Sequence, residues 1–373
     1  MKALAAAAGL LLLAVVLWDA FETIILPRRV TRRYRLTRLF YRATWRPFAA
    51  ATRLVPSKRQ ETYLSFYGPL SLVVLLVLWA AALVAAFGLL QYAEATPVQL
   101  ADGSRSDSLA TNVYLSGTTL FTLGLGDVVP RGRLARLLAV VEAGTGFGFL
   151  AVVIGYFPVI YQAFSRREVN ISLLDARAGS PPTAAELLRR HRGPGGLEAL
   201  ERLLHEWEQW AAELLESHLS YPVLAYFRSQ HKNESWLTAL TTVLDASALL
   251  MVGVTGGCAR QARLTFAMAR HALVDLAQVF GTPPAASPER LSPAVLAALR
   301  GDLAASGFPV AEGGALDARL AELRSMYEPY AAALSRYLLQ PLPSWRAESP
   351  RPDNWQTSAW AKAPEPSVEE EHF

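Results

Sequence analysis

Six consecutive residues from Thr122 to Asp127 read Thr-Leu-Gly-Leu-Gly-Asp and are the part of the chain best suited to chemistry. Every second residue in the middle of this stretch is a glycine, which takes left-handed backbone dihedrals at little steric cost. A backbone that alternates left- and right-handed residues can direct successive carbonyl oxygens to one side. Carbonyl oxygens arranged in that way can replace the water shell of a cation. The pattern therefore predicts a site where the backbone binds dehydrated cations.

The side chains that carry out covalent or metal chemistry form no recognisable group in the sequence. Histidines stand at 191, 205, 218, 231 and 271, without the spacing of a metal site such as His-Glu-x-x-His. The single cysteine, Cys258, has no obvious base nearby in sequence and excludes an intrachain disulfide. The stretch from Gly144 to Gly148 neither follows a strand nor opens a helix, so it is not a dinucleotide-binding loop. We expect no catalytic residues, no cofactor, no enzymatic activity and no nucleic-acid partner.

The apolar residues of this 373-residue chain are concentrated in its first 165 positions. Three segments, about 3–26, 62–93 and 134–164, are each long enough to cross a hydrocarbon layer of about 30 Å as a helix. A cleaved signal peptide is the less favoured interpretation of the first segment, because its apolar residues resume after Glu22 and its far flank is basic. The sequence predicts one N-terminal span and two spans that flank the hexapeptide.

The stretch from Leu109 to Phe121 is moderately apolar and too short to span a membrane, which predicts a half-helix that enters the membrane and leads into the hexapeptide. Irregular backbone at membrane depth is tolerated only where it is buried in protein or lines a water-filled cavity. Residues 122–127 are therefore expected to line such a cavity. A glycine-rich turn outside the membrane is the less favoured alternative.

Charge asymmetry predicts the direction of the spans. Between Pro27 and Gln60 there are eleven Lys or Arg residues and no acid, so this linker is expected in the cytoplasm. The N-terminus then lies outside, and the C-terminal domain lies in the cytoplasm of a cell whose plasma membrane the chain crosses several times. Asp19 and Glu22 share a helix face, and we expect them near the cytoplasmic interface rather than in contact with the basic linker or another helix.

The basic linker is predicted to form an amphipathic helix. Tyr41, Trp45 and Phe48 fall on one face, and the arginines spread over the rest. Such a helix lies on anionic lipid, with the headgroups contacted by Arg29, Arg32, Arg35, Arg38 and Arg42. A voltage sensor is less favoured, because only one apolar segment precedes the linker.

The residues from Tyr114 to Pro130, which read YLSGTTLFTLGLGDVVP, are similar to the pore loop of two-transmembrane and tandem-pore potassium channels, and the resemblance to bacterial members extends over 66–164. It implies a tetrameric pore made of an outer helix, a pore helix, a filter and an inner helix. It also implies that potassium is bound by the backbone of the filter residues Thr122, Leu123, Gly124, Leu125 and Gly126, and that the Thr122 hydroxyl supplies one further oxygen. Bracing of this filter is expected from Asp127, Tyr114, Thr118 and Glu142.

One departure from the family's usual Thr-Val-Gly-Tyr-Gly-Asp filter bears on selectivity. Leu125 takes the place of the tyrosine and has no hydrogen-bond donor to offer to the pore helix. We therefore expect a less rigidly braced filter. Besides a potassium-selective channel subunit, two alternatives stay open: a weakly selective cation channel, and a non-conducting membrane sensor or scaffold that acts through its cytoplasmic domain.

The inner helix contains glycines that admit two interpretations. Gly146 lies twenty residues after Gly126, where the family has its hinge glycine, and Gly144 lies one half-turn earlier. Because glycine destabilises a helix by about 1 kcal/mol relative to alanine, the presence of these glycines needs an explanation. A gating hinge, together with a kink at Pro158, is one interpretation, and close helix packing through small residues is the other.

The second half of the chain has helical periodicity without strand alternation. A capping box at Thr183–Glu186 is followed by helices predicted within 235–254, 260–280, 293–306 and 316–339. The apolar stretch from Trp236 to Val254 carries Asp245 near its centre, which favours a buried core helix over a fourth span.

Together these patterns predict an all-α membrane protein that assembles as a homotetramer. Its predicted parts are an N-terminal transmembrane helix (1–27), a basic interfacial linker (28–61), a pore domain (62–165), a second linker (166–182), a cytoplasmic helical bundle (183–340) and a disordered tail (341–373). The stimulus that gates the pore and any ligand of the bundle are left open.

Overall fold

A computed structural model describes residues 1–26, 35–94, 96–230, 234–253, 257–308, 310–347 and 353–356. The chain divides into two compact units, of which the first comprises Met1–Ala163 and Ser220–Phe227, and the second comprises Phe164–Leu219 and Arg228–Phe373. Four helices of the described residues are long and apolar enough to cross a membrane: Lys2–Ile25, Arg59–Ala93, Arg133–Ala178 and Trp236–Gly253. The protein is predominantly helical, which confirms the predicted fold class of an all-α membrane protein.

The first unit is built on five helices. They are α1 (Lys2–Ala20, prolonged by a wide π-type turn at Phe21–Ile25), α2 (Leu36–Thr52), α3 (Ser57–Ala93), α4 (Leu109–Leu120) and α5 (Arg133–Ala178), whose last turns belong to the second unit. Helix α1 runs antiparallel to α3, since Lys2 reaches the carbonyl of Glu94 and Val16 shares a buried cluster with Trp79. A Cβ added at Gly9 would lie 2.8 Å from the carbonyl oxygen of Ala86, so glycine allows the two backbones to approach closely.

Two acids in the first unit are buried, contrary to the expectation that they lie at the membrane interface. The carboxylate of Asp19 accepts hydrogen bonds from the Thr37 backbone at 3.1 Å and from the Trp79 indole at 3.2 Å. Glu22 forms an ion pair with Arg35 at 3.4 Å. A buried carboxylate needs such partners because desolvation without them is costly. The alternative that these acids contact the basic linker is therefore the one that the structure confirms.

Helix α2 has the predicted amphipathic pattern, but part of its apolar face packs against protein. The rings of Trp45 and Phe48 lie 4.8 and 5.0 Å from the ring of Tyr67 on α3. Arg29 and Arg32 of the predicted lipid-binding set lie outside the described residues. Lipid contact by Arg35, Arg38 and Arg42, the other members of that set, stays a prediction.

Three short strands, which the sequence did not predict, follow α3 and the hexapeptide. They are β1 (Val98–Leu100), β2 (Arg105–Ser106) and β3 (Val128–Val129), and they form an antiparallel sheet in the order β2-β1-β3. Gln99 pairs with Val129, and Leu100 pairs with Val128. The strand after the hexapeptide is therefore held by the loop that follows α3.

In the described residues, the second unit continues from the end of α5 through seven further α-helices. They are α6 (Ala184–Arg190), α7 (Gly196–Ser220), α8 (Trp236–Gly253), α9 (Gly257–Phe280), α10 (Pro293–Ala305), α11 (Gly314–Ser325) and α12 (Glu328–Leu338). Because α5 runs on to Ala178, the segment predicted as a linker at 166–182 is mostly helical. The Thr183 hydroxyl accepts the Glu186 N–H at 3.2 Å, which confirms the N-terminal cap predicted there.

Helix α8 is a buried core helix, as its central acid predicts. It packs against α6, α9, α11 and α12. Asp245 is fully buried, accepts a hydrogen bond from the Tyr327 hydroxyl and pairs with Arg290, which also contacts Glu328 at 3.1 Å. The acid is compensated within the protein, so α8 does not need to reach the membrane surface.

Two predictions for the end of the chain are wrong. The helix predicted over 316–339 is broken at Tyr327, where φ is −132°, and Pro329 in the next turn has no N–H to donate. The tail predicted to be disordered from 341 is partly folded, since Trp345 is fully buried and the guanidinium carbons of Arg290 and Arg324 each lie 5.7 Å from its ring centroid. Residues 357–373 lie outside the described part of the chain.

A histidine at the end of α7 couples the stability of the second unit to pH. The His218 ring is fully buried, with Nδ1 2.8 Å from the carbonyl of Leu214 and Nε2 3.4 Å from the guanidinium of Arg167. Burial, together with the positive charge of Arg167, lowers the pKa of His218 well below its ordinary value. The native ring therefore stays neutral where an unfolded histidine would already be protonated.

We predict that the second unit loses stability as the pH falls below about 6.5, because the unfolded chain then binds a proton that the native chain does not, at about 1.4 kcal/mol per pH unit. His218→Gln removes this contribution. Thermal unfolding at pH 7.5, 6.5 and 5.5 should show a shallower pH slope for His218→Gln than for wild type. The exposed His205 provides the control, since His205→Gln should keep the wild-type slope. An unchanged slope in His218→Gln would contradict the assignment.

Candidate functional site

Helix α4 positions the hexapeptide, because it ends at Leu120, two residues before Thr122. The Ser116 hydroxyl contacts the carbonyl of Val84 on α3 at 2.8 Å. Leu120 is buried in the cluster that contains Trp79 and Leu83. The short helix is thus fixed on the long helix that precedes it, and its C-terminus delivers the chain into residues 122–127.

The backbone of the hexapeptide alternates as the sequence predicts. Thr122, Gly124 and Gly126 have φ values of +58°, +53° and +76°, whereas Leu123 and Leu125 do not have positive φ. A β-branched residue with positive φ is a steric outlier, so Thr122 is held there by its surroundings. A Cβ added at Gly124 or Gly126 would meet nothing within 4 Å. Glycine is required at these two positions by the dihedral angle and not by lack of space.

The N–H groups and the carbonyl groups of this segment have different partners. Leu123 and Gly124 donate to the carbonyl of Thr118 at 2.8 and 3.3 Å, and Thr122 donates to the carbonyl of Thr119 at 3.0 Å. Throughout the described chain, no hydrogen bond takes a carbonyl oxygen of 122–126 as its acceptor. Carbonyl groups of α4 therefore hold residues 122–124 by their N–H groups, and the five consecutive carbonyl oxygens of 122–126 are left available.

Two of the predicted bracing residues meet at the far end of the segment. The Tyr114 hydroxyl donates to a carboxylate oxygen of Asp127 at 2.6 Å, which ties the residue after Gly126 back to α4. The adjoining strand β3 is paired with β1. Thr118 contributes its backbone carbonyl, while its hydroxyl bonds to the carbonyl of Leu115 within α4. The segment is thus held at both ends, and the role of these residues in ion binding stays a prediction.

Glu142, the fourth predicted bracing residue, lies fully buried behind α4. One carboxyl oxygen is hydrogen-bonded to the Ser116 hydroxyl, and the other has no hydrogen-bond partner within the described residues. The Ser116 hydroxyl has one hydrogen and contacts two acceptors, the carbonyl of Val84 and the carboxyl of Glu142. A neutral Glu142 that donates to Ser116 satisfies both contacts. Ser116 itself was not singled out from the sequence, where nothing distinguishes it from other polar residues of α4.

Helix α5 lies close to the end of α4 at Gly146. A Cβ added there would lie 2.0 Å from the carbonyl oxygen of Leu120, whereas nothing lies within 4 Å of a Cβ added at Gly144. Helix α5 continues through Pro158 without interruption. Close packing therefore accounts for Gly146. A hinge formed by Gly144, Gly146 and Pro158 stays a prediction.

The remaining surface beside the hexapeptide is apolar and open in the single chain. A cavity of about 690 Å³ lies next to Thr122 and is lined mostly by aliphatic and aromatic residues of α3, α4 and α5, such as Val77, Phe147 and Phe157. The side chains of Leu123 and Leu125 are 61% and 62% exposed. Leu125 has no polar atom with which to reach α4, in line with the weaker bracing predicted for it.

We predict that Gly146→Ala lowers the thermal unfolding midpoint of the detergent-solubilised protein by several degrees. The added methyl group collides with a backbone oxygen that cannot rotate away, and overpacking of this kind costs about 1–3 kcal/mol. Gly144→Ala is the matched control and should be neutral or slightly stabilising, because alanine favours a helix. Equal midpoints for the two variants would contradict the packing role of Gly146.

We predict that Glu142→Gln keeps most of the stability that Glu142→Ala loses. The glutamine amide can donate to Ser116 as a neutral acid would, whereas alanine leaves a cavity and removes the partner of Ser116 on α5, at a cost of about 2–5 kcal/mol. Chemical or thermal unfolding of both variants measures the difference. If Glu142→Gln were as unstable as Glu142→Ala, the carboxyl would have to be ionised.

Known proteins resemble this chain in the region around the hexapeptide. Residues 72–162 match the family model described as an ion channel. The uncharacterized membrane protein YdjJ of Bacillus subtilis (strain 168) is 22% identical over 191 residues, which are 51% of this chain and 55% of that protein. Protein LctB of Geobacillus stearothermophilus is 43% identical over 54 residues, 14% of this chain and 40% of that protein.

The chain thus spans about half the length of the curated relatives that it matches. No solved structure matches it. The matched region runs from α3 through α4 and the hexapeptide into α5. The part of the first unit that is similar to ion channels therefore includes the hexapeptide.

Proposed function

We propose that this chain is the subunit of a potassium-selective channel in which residues 122–126 of several copies form the filter. The observation that carries the proposal is the alternation of positive φ at Thr122, Gly124 and Gly126, combined with carbonyl oxygens that no hydrogen bond in the described chain uses. A loop of this kind inside an ion-channel domain suits coordination of dehydrated cations by the backbone.

In the proposed mechanism an ion loses its water and is bound by rings of carbonyl oxygens. Each chain supplies one filter strand, so a closed ring needs several copies, and the resemblance to potassium channels implies four. The Thr122 hydroxyl adds a further oxygen at the inner end of the filter. Conduction is passive, from one carbonyl ring to the next, and no side chain performs catalysis. Potassium is the only metal ion in the proposal, and it is the substrate that the channel transports.

The proposed orientation places the N-terminus outside and the second unit in the cytoplasm of a cell whose plasma membrane the chain crosses. Lys2 forms an ion pair with Asp107 at 3.1 Å, so the start of α1 lies at the same end of the first unit as the loop before α4. The basic helix α2 follows the other end of α1, and basic segments favour the cytoplasmic side. Exposed Arg42 and half-buried Arg38 on α2 are proposed to contact anionic lipid headgroups.

A weakly selective cation channel is the second candidate, and one observation favours it. Leu125 replaces the family's tyrosine, is 62% exposed and has no donor with which to brace the filter against α4. A filter that flexes more discriminates less between potassium and the smaller sodium ion. The two candidates differ in the ratio of the ion fluxes and not in the architecture.

The decisive experiment reconstitutes the full chain into liposomes and compares potassium flux with sodium flux. We expect potassium flux to exceed sodium flux and to vanish in Gly124→Ala, because a side chain at a φ of +53° is strained. Gly148→Ala is the matched control, since glycine there has a free Cβ position and no positive φ. Equal potassium and sodium fluxes that Gly124→Ala abolishes would support the weakly selective channel. Absence of flux at every pH, voltage and calcium concentration would favour a sensor or scaffold.

We predict that Leu125→Tyr increases the ratio of potassium flux to sodium flux, because the added hydroxyl can donate a hydrogen bond to the neighbouring pore helix. Leu125→Phe adds the aromatic ring without the hydroxyl donor. It therefore distinguishes the effect of hydrogen-bond bracing from the effect of side-chain size. The ratio is measured in the same liposomes. A ratio for Leu125→Tyr that is no higher than that of wild type would contradict the idea that Leu125 weakens the filter.

A further inference from the structure

Residues 220–227 belong to the first unit although the chain on both sides of them belongs to the second. They begin at the last residue of α7 and contain a short 3₁₀ turn, Pro222–Tyr226. Val223, Leu224, Ala225, Tyr226 and Phe227 are each at most 4% exposed. We call this segment, 220–227, the aromatic peg.

The peg is packed against α2 and α3 by aromatic contacts. The Tyr226 ring is stacked on Tyr41 with their centroids 5.5 Å apart and an interplanar angle of 9°. It also lies 5.0 Å from the ring of Trp45 and 5.2 Å from that of Tyr67. Clusters of this geometry are attractive beyond their buried area and hold their members in defined positions.

The same peg contacts the inner helix on either side of Pro158. Tyr221 meets Tyr156 edge to face with a centroid distance of 5.7 Å, and Phe227 meets Tyr161 in the same way at 6.2 Å. A Cβ added at Gly68 would lie 2.6 Å from the Phe227 ring, so α3 is shaped to receive the peg. One short segment therefore contacts α2, α3 and the later part of α5.

Both flanks of the peg are fixed within the second unit. His218, two residues before it, is buried against Arg167 and the carbonyl of Leu214. Arg228, directly after it, donates to the carbonyl of Leu338, the last residue of α12, and to that of the following Leu339 at 3.1 Å. The peg is therefore covalently joined on both sides to residues that are anchored in the second unit.

We propose that the aromatic peg is the coupling element through which the second unit sets the position of α5 around Pro158, and thereby the conducting state. The statement about conduction rests on the proposed channel function, whereas the statement about α5 does not. The coupling acts in both directions, so displacement of α5 also changes the second unit.

The test uses the full chain in liposomes in a Cys258→Ala background with Ile154→Cys as a reporter, since Ile154 is 64% exposed on α5 in the single chain. The rate at which a charged thiol reagent modifies position 154 reports the state of α5. Tyr226→Ala removes the central ring of the peg, whereas Gly68→Ala displaces the Phe227 ring without removing any aromatic side chain. Tyr226→Phe and Tyr63→Ala are the matched controls, because Tyr63 is exposed one turn before Tyr67.

We expect Tyr226→Ala and Gly68→Ala each to change the modification rate in the same direction by about fivefold or more, with both controls within about twofold of wild type. Wild-type rates in folded Tyr226→Ala and Gly68→Ala would overturn the proposal, and if Tyr226→Ala does not fold, Gly68→Ala decides alone. Potassium flux is measured in parallel. A changed rate without flux in any protein would mean that the channel function fails while the coupling stands. Selective potassium flux with unchanged modification rates would mean that the coupling fails while the channel function stands.

Discussion

A backbone carbonyl that lacks a hydrogen-bond partner is costly wherever water is excluded, and residues 122–126 present five of them in succession within the described chain. Their N–H groups are not equally free, because the end of α4 accepts those of Thr122, Leu123 and Gly124. The asymmetry between donors and acceptors is what makes the loop suited to cations. The strained conformation of the loop is defined by its positive φ angles. It is maintained by the Tyr114–Asp127 hydrogen bond and by the β1–β3 pairing.

The supports of the loop explain the architecture of the first unit. Helix α4 must end at a defined position for the loop to form. It is held by α3 through the Ser116 hydrogen bond, and by α5, where Gly146 lets the backbones of α4 and α5 come close. Behind it, the buried carboxyl of Glu142 is hydrogen-bonded to the Ser116 hydroxyl. Helix α1 in turn packs along α3, and the carboxylate of Asp19 joins it to Trp79 and to the start of α2. The contact between α4 and α5 lies at Gly146, whereas the aromatic peg contacts α5 on either side of Pro158.

The sequence predicts those features whose cause is local. Hydropathy locates the spans, glycine spacing locates the loop, and a Thr-x-x-Glu pattern locates the cap at Thr183. Features that depend on distant partners are not visible in it: the burial of Asp19, the continuation of α5 to Ala178 and the packing of Trp345. The sheet had one local signal, the Asp-Gly pair before Ser104, where Gly103 has positive φ. The peg had none, because aromatic residues after a helix are equally compatible with an ordinary loop.

The central claim is that 122–126 from four copies surround one axis and bind potassium through backbone oxygens. Electron cryomicroscopy of the full chain in lipid nanodiscs, with potassium and then with sodium as the only monovalent cation, tests it most directly. The account predicts a fourfold assembly with a column of density on its axis between the carbonyls of 122–126, stronger in potassium. An assembly in which these segments face lipid or solvent instead of a common axis would contradict it.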